Sequence, residues 1–350
     1  MIIATLIGME RLNGTSDFNH IYLGIECALQ PRVIYDCSPY YRFPPVFAYL
    51  LAPLSPLLHK WGTFVLVMIL QLLSLYVALE MLPDRDRAYT SALLLIVPIA
   101  DTLFLGQINI MAFASLPLIA LLLEEKRAGL SHMLITIPAW IKALGIVYFP
   151  HFLRKRPLRF VLNLFLFSLL LLGIGLSVRG PHLLIADINT WLSEMVTGLI
   201  RSGKLTERVY AHGFVHYKNY TLLSVWKSLH LPTPGYILLS LLMVLPALIT
   251  WNRSLSFGIL ALSGAVLSPI SWLHYYVFLL LPTYNLLTME ENRRLRIALA
   301  SILFSSFVLT AVPAGIHLKT PLIGALLLYG WHIWKSRPRL YFWRKQEGNP

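Results

Sequence analysis

Long apolar runs alternate with short polar segments along most of the chain. A membrane helix needs about 20 mostly apolar residues, and such candidates lie at 62–82, 90–105, 107–123, 160–178, 235–251, 255–271, 273–288, 296–313 and 320–335. The run 90–123 is too long for one span, so we divide it at the polar sequence Gly106-Gln107-Ile108-Asn109. The pattern predicts an all-α integral membrane protein with about ten to eleven membrane helices.

Segment 130–150 does not fit a plain span, because it contains Pro138, Lys142, Gly145 and Pro150. A lysine and a broken backbone at membrane depth must face protein or a cavity. Two structures compete: a single span, or two half-helices that enter and leave on the same side. With a cytoplasmic N-terminus, the second places 17 of the 29 Lys and Arg residues in or beside short cytoplasmic loops. Short loops follow the positive-inside rule, so we favour the broken hairpin.

Composition supports a membrane protein and excludes several other classes. Hydrophobic residues make up 57% of the 350 residues and charged residues 13%, about half the usual charged fraction of about 25%. This excludes a water-soluble enzyme, a disordered chain and a disulfide scaffold. The net charge of +13 comes from short basic clusters between apolar runs, which indicate cytoplasmic loops rather than binding to nucleic acid.

The pattern predicts one multi-pass domain, 1–350, in the cell membrane. Two long loops, 10–61 and 179–234, are expected outside, and a basic tail, 336–350, is expected in the cytoplasm. The two cysteines, Cys27 and Cys37, lie in the first loop. They either pair, if that loop faces an oxidising compartment, or remain two free thiols. The spacing of Cys and His matches no metal site.

Several motifs follow one another in a recognisable order. They are Ser16-Asp17-Phe18, Tyr35-Asp36, Tyr41-Arg42-Phe43-Pro44-Pro45, Gly106-Gln107-Ile108-Asn109, Ala128-Gly129 with Ile141-Lys142, Asn219-Tyr220-Thr221, and Ser268-Pro269-Ile270-Ser271-Trp272-Leu273-His274. In this order they resemble glycosyltransferase family 87 over roughly residues 15–290, and the last motif is the most specific. The chain departs from the family pattern at Tyr275, where a second histidine is frequent, and at Thr221, where serine is usual.

The resemblance implies a GT-C-like helical bundle whose active site faces outwards. It also implies an inverting transfer of a hexose, most simply mannose, from a polyprenyl-phosphate donor to a lipid or glycan acceptor, without cofactor or metal. Such a transfer needs a base for the acceptor hydroxyl and donors or cations for the departing phosphate.

The resemblance and this chemistry together assign roles to individual residues. Asp17 is the candidate base, although an aspartate beside a helix is also a common cap, and Asp36 is the second acid to consider. His274 and Lys142 are candidates to bind the donor phosphate; the alternatives are an interfacial belt histidine and a partner for a buried carboxylate. The candidate substrate-binding residues are Gln107, Asn109, Asn219, Trp272 and Arg42. Their amides also suit unsatisfied helix ends. Asp101 is a minor candidate for lining the cavity.

Two other functions stay open at this point. A transporter or flippase of lipid-linked sugars also suits a buried lysine and broken helices, but transporters concentrate polar residues at the midplane of paired repeats, and no repeat is visible. An O-antigen polymerase or ligase shares the large external loop but lacks the motif that ends at His274. The sequence therefore favours the glycosyltransferase.

Overall fold

A computed structural model of the protein describes residues 17–38, 41, 43–193, 220–268, 273–312 and 318–336, and no strand occurs in these ranges. The helices are α1 (Asp17–Cys27), α2 (Ile34–Cys37), α3 (Pro45–Leu51), α4 (Ser55–Glu80), α5 (Arg85–Leu94), α6 (Ile96–Leu105), α7 (Ile110–Leu123), α8 (Ala128–Ile141), α9 (Phe149–Lys155), α10 (Pro157–Trp191), α11 (Leu222–Ser228), α12 (Thr233–Ile249), α13 (Arg253–Leu267), α14 (Leu280–Met289), α15 (Arg293–Val308) and α16 (Thr320–Ser336). Two 3-10 segments, Ala143–Tyr148 and Leu273–Leu279, precede α9 and α14.

Within the described ranges the apolar runs are largely helical, but the count of ten to eleven membrane helices is not confirmed. Within the described ranges, three helices are long and apolar enough to span: Pro45–Glu80, Pro157–Trp191 and Arg293–Ala311. A bent pair, α5 with α6, makes a fourth. The other apolar helices are shorter, and α13 is buried along almost its whole length, so protein surrounds it instead of lipid.

Prolines explain why the run 90–123 is more broken than predicted. The single helix expected at 90–105 is α5 and α6, which meet at Leu95 with a bend of 64°. Pro98 has no N–H to donate to the Leu94 carbonyl one turn earlier, so the helix cannot continue straight. α7 begins with a π-helical segment, Ile110–Ser115, and the Tyr148 hydroxyl donates to the Phe113 carbonyl in this segment at 2.6 Å.

Segment 128–155 is the broken hairpin favoured by the charge pattern. α8 ends at Ile141, the chain turns through the 3-10 segment, and α9 returns. Gly145 makes this turn possible, because a Cβ there would lie 2.8 Å from the backbone of Pro138. Both ends of the hairpin lie beside Glu124, which accepts hydrogen bonds from His151 at 3.2 Å and Lys155 at 3.5 Å. The segment therefore enters and leaves at the same end of the bundle.

The short loops predicted to be cytoplasmic meet at that same end. Arg253, which begins α13, donates to Glu124 at 2.6 Å and also binds Glu125. Further contacts at this end join Asp84 to Tyr284, Arg87 to Thr288, Ser254 to Asn285, and Lys335 to Glu290. The structure thus gathers the loops after α4, α7, α9, α12 and α14 with the end of α16, as the predicted topology requires.

The first long segment, predicted as a loop over 10–61, contains α1, α2, α3 and the beginning of α4. The second, predicted over 179–234, is helical as far as Trp191, because α10 continues through a kink at Gly180. The φ of Gly180 is 70°, in the left-handed region that suits a residue without a Cβ. Pro181 follows this glycine. Residues 194–219 lie outside the described ranges. The two segments are therefore largely helical where the structure describes them.

A buried ion pair joins these two segments. Arg179 donates to Asp187 at 2.9 Å, and both side chains are almost fully buried. Arg179 also donates to four carbonyls between Cys27 and Arg32, while Asp187 accepts from the Ile34 N–H at 2.8 Å and the Tyr49 hydroxyl at 2.9 Å. About 22 helical residues, or about 33 Å, separate these contacts from the opposite end of α10. That matches a hydrocarbon thickness of about 30 Å.

The two cysteines are joined in a disulfide between Cys27 and Cys37. This bond closes the turn that Arg179 holds, so the end of α1 and the whole of α2 are fixed to each other covalently. Of the two states that the sequence left open, the structure contains the paired one.

Candidate active site

The break between α6 and α7 forms one wall of the site. α6 ends at Gly106, whose φ of 67° is left-handed, and the Gln107 N–H closes the turn on the Thr102 carbonyl at 3.0 Å. A Cβ on Gly106 would lie 2.6 Å from the side chain of Phe18. Glycine is therefore required twice, by the backbone angle and by the close approach of α1. This approach brings the first residue of α1, Asp17, next to Gln107.

Gln107 connects the candidate base to the candidate phosphate ligand. Its Nε2 donates to Asp17 Oδ2 at 2.6 Å, and its Oε1 accepts from Lys142 Nζ at 3.1 Å. The backbone carbonyl of Gln107 accepts from Gln71 on α4 at 2.7 Å, which holds the break in place. Asp17 and Lys142 form no ion pair with each other, since the amide lies between them. The carboxylate is therefore oriented without being neutralised by direct contact.

Lys142 projects from the tip of the hairpin, immediately after α8. Besides Gln107, its ammonium donates to Asn109 Oδ1 at 2.6 Å. The rings of Phe43, Phe113 and Tyr275 lie 5.2, 5.4 and 4.6 Å from Nζ, within the range of cation–π attraction. The three aromatic faces offset part of the cost of placing a cation at this depth.

His274 is held from two sides by the segment that runs from α6 to α7. Its backbone carbonyl accepts from Asn109 Nδ2 at 3.1 Å and from the Thr102 hydroxyl at 3.3 Å. Its ring nitrogen Nδ1 lies 3.2 Å from Asp101 Oδ2. The imidazole is 2% exposed, whereas the Asp101 carboxylate is 29% exposed.

These contacts form one continuous set, which we call the polar network. Its members are Asp17, Gln107, Lys142, Asn109, His274 and Asp101. It joins four separate parts of the chain: α1, the end of α6 with the break after it, the hairpin tip and the 3-10 segment Leu273–Leu279. The structure thus brings together every predicted site residue that it describes. Arg42, Asn219 and Trp272 lie outside the described residues.

Both bridging amides, those of Gln107 and Asn109, form their hydrogen bonds with other protein groups. Gln107 is 8% exposed and Asn109 is fully buried, and each donates once and accepts once within the network. Their observed contacts orient charged neighbours. Direct contact of either amide with a sugar stays a prediction.

Sequence reasoning did not find the three rings around Lys142. Phe43 belongs to the motif Tyr41-Arg42-Phe43-Pro44-Pro45 and Tyr275 was noted as a departure from the family pattern, but neither was expected beside a lysine. Phe113 carried no signal, because an aromatic residue in an apolar run is expected whatever its role. Asp101 was noted only for its position near a helix end. Its contact with His274 depends on the bend between α5 and α6.

A groove of about 520 Å³ lies elsewhere, between α1 and the beginning of α4. Its lining residues are Asn19, Tyr22, Leu23, Glu26, His59 and Lys60. At 100° per helical residue, these positions of α1 lie on the side opposite Asp17. The groove is therefore separate from the polar network.

Within the described ranges, no three His, Cys, Asp or Glu side chains cluster as metal ligands would.

A membrane-embedded helical bundle that places a carboxylate, a lysine and an imidazole in one network has the components of a group-transfer enzyme. The profile of glycosyltransferase family 87 matches residues 41–256, more than half of the 350 residues. No curated protein and no solved structure matches the chain. The chain belongs to glycosyltransferase family 87, and is a membrane glycosyltransferase that takes a sugar from a donor to an acceptor. The matched region contains Gln107, Asn109 and Lys142, while Asp17 and His274 flank it.

Proposed function

We propose that the protein moves a hexose, most simply mannose, from a polyprenyl-phosphate donor to a lipid or glycan acceptor at the external face of the cell membrane. The observation that carries the proposal is the polar network. In it the side-chain amide of Gln107 forms hydrogen bonds with both the Asp17 carboxylate and the Lys142 ammonium. A base and a cation at this spacing are what transfer from a lipid phosphate needs. The choice of mannose and of a polyprenyl carrier rests on the motif resemblance.

The reaction is a single in-line displacement. Asp17 takes the proton of the acceptor hydroxyl as the acceptor oxygen attacks C1 of the sugar. The new bond between C1 and oxygen forms on the face opposite the bond between C1 and the phosphate oxygen, which breaks, so the configuration at C1 inverts. Polyprenyl phosphate leaves with the bonding electron pair, and Asp17 later passes its proton to solvent.

The geometry at Asp17 suits a base. One carboxylate oxygen, Oδ2, accepts from Gln107, which fixes the plane of the group. Among the described residues the other oxygen has no hydrogen-bond donor, so it can accept the hydroxyl of the acceptor. Asp36, the second acid considered, is exposed on α2 and has no comparable support.

The geometry at Lys142 suits the donor phosphate. An ammonium has three N–H donors, and the described residues provide acceptors for two of them, on Gln107 and Asn109. The third is available to a phosphate oxygen. Asn109 also donates to the His274 carbonyl. One amide therefore contacts both candidate phosphate ligands, Lys142 and His274, and fixes the distance between them.

The two ends of the bundle support the external location. The basic short loops meet at one end, and a cytoplasmic location for them satisfies the positive-inside rule. The disulfide between Cys27 and Cys37 lies towards the other end, and disulfides persist in oxidising compartments. Asp17 begins the helix that ends at Cys27, so it belongs to the external half.

The test is a transfer assay on membranes that contain the full-length protein, with polyprenyl phosphate carrying radiolabelled mannose. Label is expected in a new lipid or polysaccharide product and to be lost from the donor, in membranes with the protein but not in matched membranes without it. Movement of intact labelled donor across the bilayer without a new product would instead indicate a flippase. Transfer from a nucleotide sugar, but not from the lipid donor, would overturn the assignment of the donor.

A further inference from the structure

Asp101 contacts the ring of His274, whereas other groups hold the backbone of that residue. The Asn109 amide and the Thr102 hydroxyl both donate to the His274 carbonyl, which fixes the backbone independently of Asp101. The carboxylate adds one further contact, 3.2 Å from ring nitrogen Nδ1. What Asp101 controls is therefore the rotation and the tautomer of the imidazole.

We propose that Asp101 is a positioning residue for the sugar transfer: it holds the His274 ring so that Nε2 faces the phosphate of the donor. This inference rests on the proposed function. An ionised carboxylate only accepts hydrogen bonds, so the ring nitrogen facing it carries the proton. The other ring nitrogen, Nε2, is on the far side of the ring from Asp101. Fixing the tautomer through the opposite nitrogen is a common way to orient a functional histidine.

The position of Asp101 in the fold supports a role beyond packing. It is the only acidic residue of α6, which is otherwise apolar apart from Thr102, and a carboxylate in such a helix is costly unless it has a function. Its side chain is 29% exposed beside a ring that is 2% exposed. Among the described residues, the titratable groups near this ring include the phenol of Tyr275, whose ring centre is 5.1 Å away, and Lys142, which lies over the Tyr275 ring.

The test is a double-mutant cycle with purified full-length protein, measuring kcat and KM for the lipid-linked donor. The variants are Asp101→Ala, His274→Ala and the double variant, with Asp101→Asn and Asp101→Glu as milder changes. In metal sites, loss of the group that orients a ligating histidine typically costs 10–100-fold, and we expect Asp101→Ala to lower kcat/KM by a factor of the same order. Asp101→Glu should recover part of the loss, because a carboxylate can still accept from Nδ1.

The cycle separates positioning from a structural role. If Asp101 acts through His274, the double variant should be no slower than His274→Ala alone, because coupled residues are not additive. Thr102→Val is the matched structural control: it removes a hydroxyl that contacts the His274 carbonyl, and should change thermal stability more than kcat. If Asp101→Ala does not fold, Asp101→Asn replaces it in the cycle.

Four results would overturn the inference, and they differ in what else they affect. Fully additive losses, or normal kinetics for Asp101→Ala beside an impaired His274→Ala, would remove the role of Asp101 and leave the proposed function intact. Normal kinetics for His274→Ala would remove the phosphate role of His274 together with that of Asp101. Absence of any lipid-donor transfer by the wild-type protein would remove the proposed function itself.

Discussion

Lys142 Nζ lies 2.6 Å from Asn109 Oδ1, and this contact joins the tip of the hairpin to the break between α6 and α7. The ammonium is surrounded by three aromatic rings. A cation held in this way is positioned before any ligand arrives. Because no carboxylate among the described residues forms an ion pair with it, its charge stays available for a phosphate.

Replacing Lys142 with Met keeps the length and apolar stem of the side chain but removes the charge. We expect kcat/KM for the donor to fall on the order of 10²–10³-fold, as when a donor that stabilises developing charge is removed. Lys142→Arg should recover only part of this, because a guanidinium does not fit three rings arranged around one nitrogen. Steady-state kinetics provide the measurement.

Lys155→Met is the matched control, since that lysine lies at the base of the same hairpin. It should transfer sugar at close to the wild-type rate. Equal losses of kcat/KM in Lys142→Met and Lys155→Met would mean that both changes act by disturbing the hairpin fold, which would contradict a specific role for the ammonium at its tip.

The disulfide predicts a change in stability that depends on reductant. The cysteines are 10 residues apart, and closing a loop of about this size stabilises a protein by about 2–3 kcal/mol. Cys27→Ser, or wild-type protein in dithiothreitol, should therefore unfold at a lower temperature, and Cys27→Ser itself should be insensitive to the reductant. Thermal unfolding in detergent with and without reductant is the measurement. Two free thiols in protein isolated without reductant would contradict the external location of this loop.

The topology predicts which single cysteines react from outside the cell. Leu153 on α9 and Leu29 after α1 are both exposed on the protein surface. Leu29→Cys should react with a membrane-impermeant maleimide added to intact cells, whereas Leu153→Cys should react only after the membrane is permeabilised. Efficient external labelling at position 153 would show that the base of the hairpin is not cytoplasmic.

Glu124 gives its end of the bundle a defined response to pH. Burial alone would raise the pKa of its carboxyl, but the hydrogen bond from His151 and the charges of Arg253 and Lys155 hold this pKa at about 2, below the ordinary 4.5. A depressed pKa stabilises the folded state above pH 4.5, and this contribution is lost as the pH falls towards 2.

The variant Glu124→Gln isolates that contribution. At pH 7 it should lower the free energy of unfolding by about 1.5–3 kcal/mol, the usual range for hydrogen bonds to a charged group. The difference from wild type should shrink as the pH falls from 4.5 towards 2. Melting temperatures of both proteins at pH 7, 4 and 3 are the measurement, and a difference that grew on acidification would be the wrong sign.

Much of the candidate site could be predicted from the sequence, because its residues are polar groups at breaks in apolar runs. Gln107, Asn109 and Lys142 stand out for that reason, and the hairpin follows from its helix breakers and the basic cluster behind it. Helix lengths could not be predicted as well. An apolar window ends where a charge appears, yet α10 continues past Arg179, because Asp187 and the backbone carbonyls of another segment satisfy that charge. The contact of Asp101 with His274 was hidden for a similar reason: it depends on a bend that Pro98 introduces, not on spacing in the sequence.

The most direct test of the account is the transfer rate of Asp17→Asn, with Asp36→Asn as the matched control on the same N-terminal segment. The asparagine keeps the size of Asp17 and can still accept from Gln107, but it cannot take a proton. A general base contributes typically 10²–10⁴-fold, so Asp17→Asn should transfer at least about 10²-fold more slowly, with protein abundance and donor binding close to wild type and Asp36→Asn unaffected. Wild-type transfer by Asp17→Asn, or loss in Asp36→Asn instead, would contradict the assignment of Asp17 as the base.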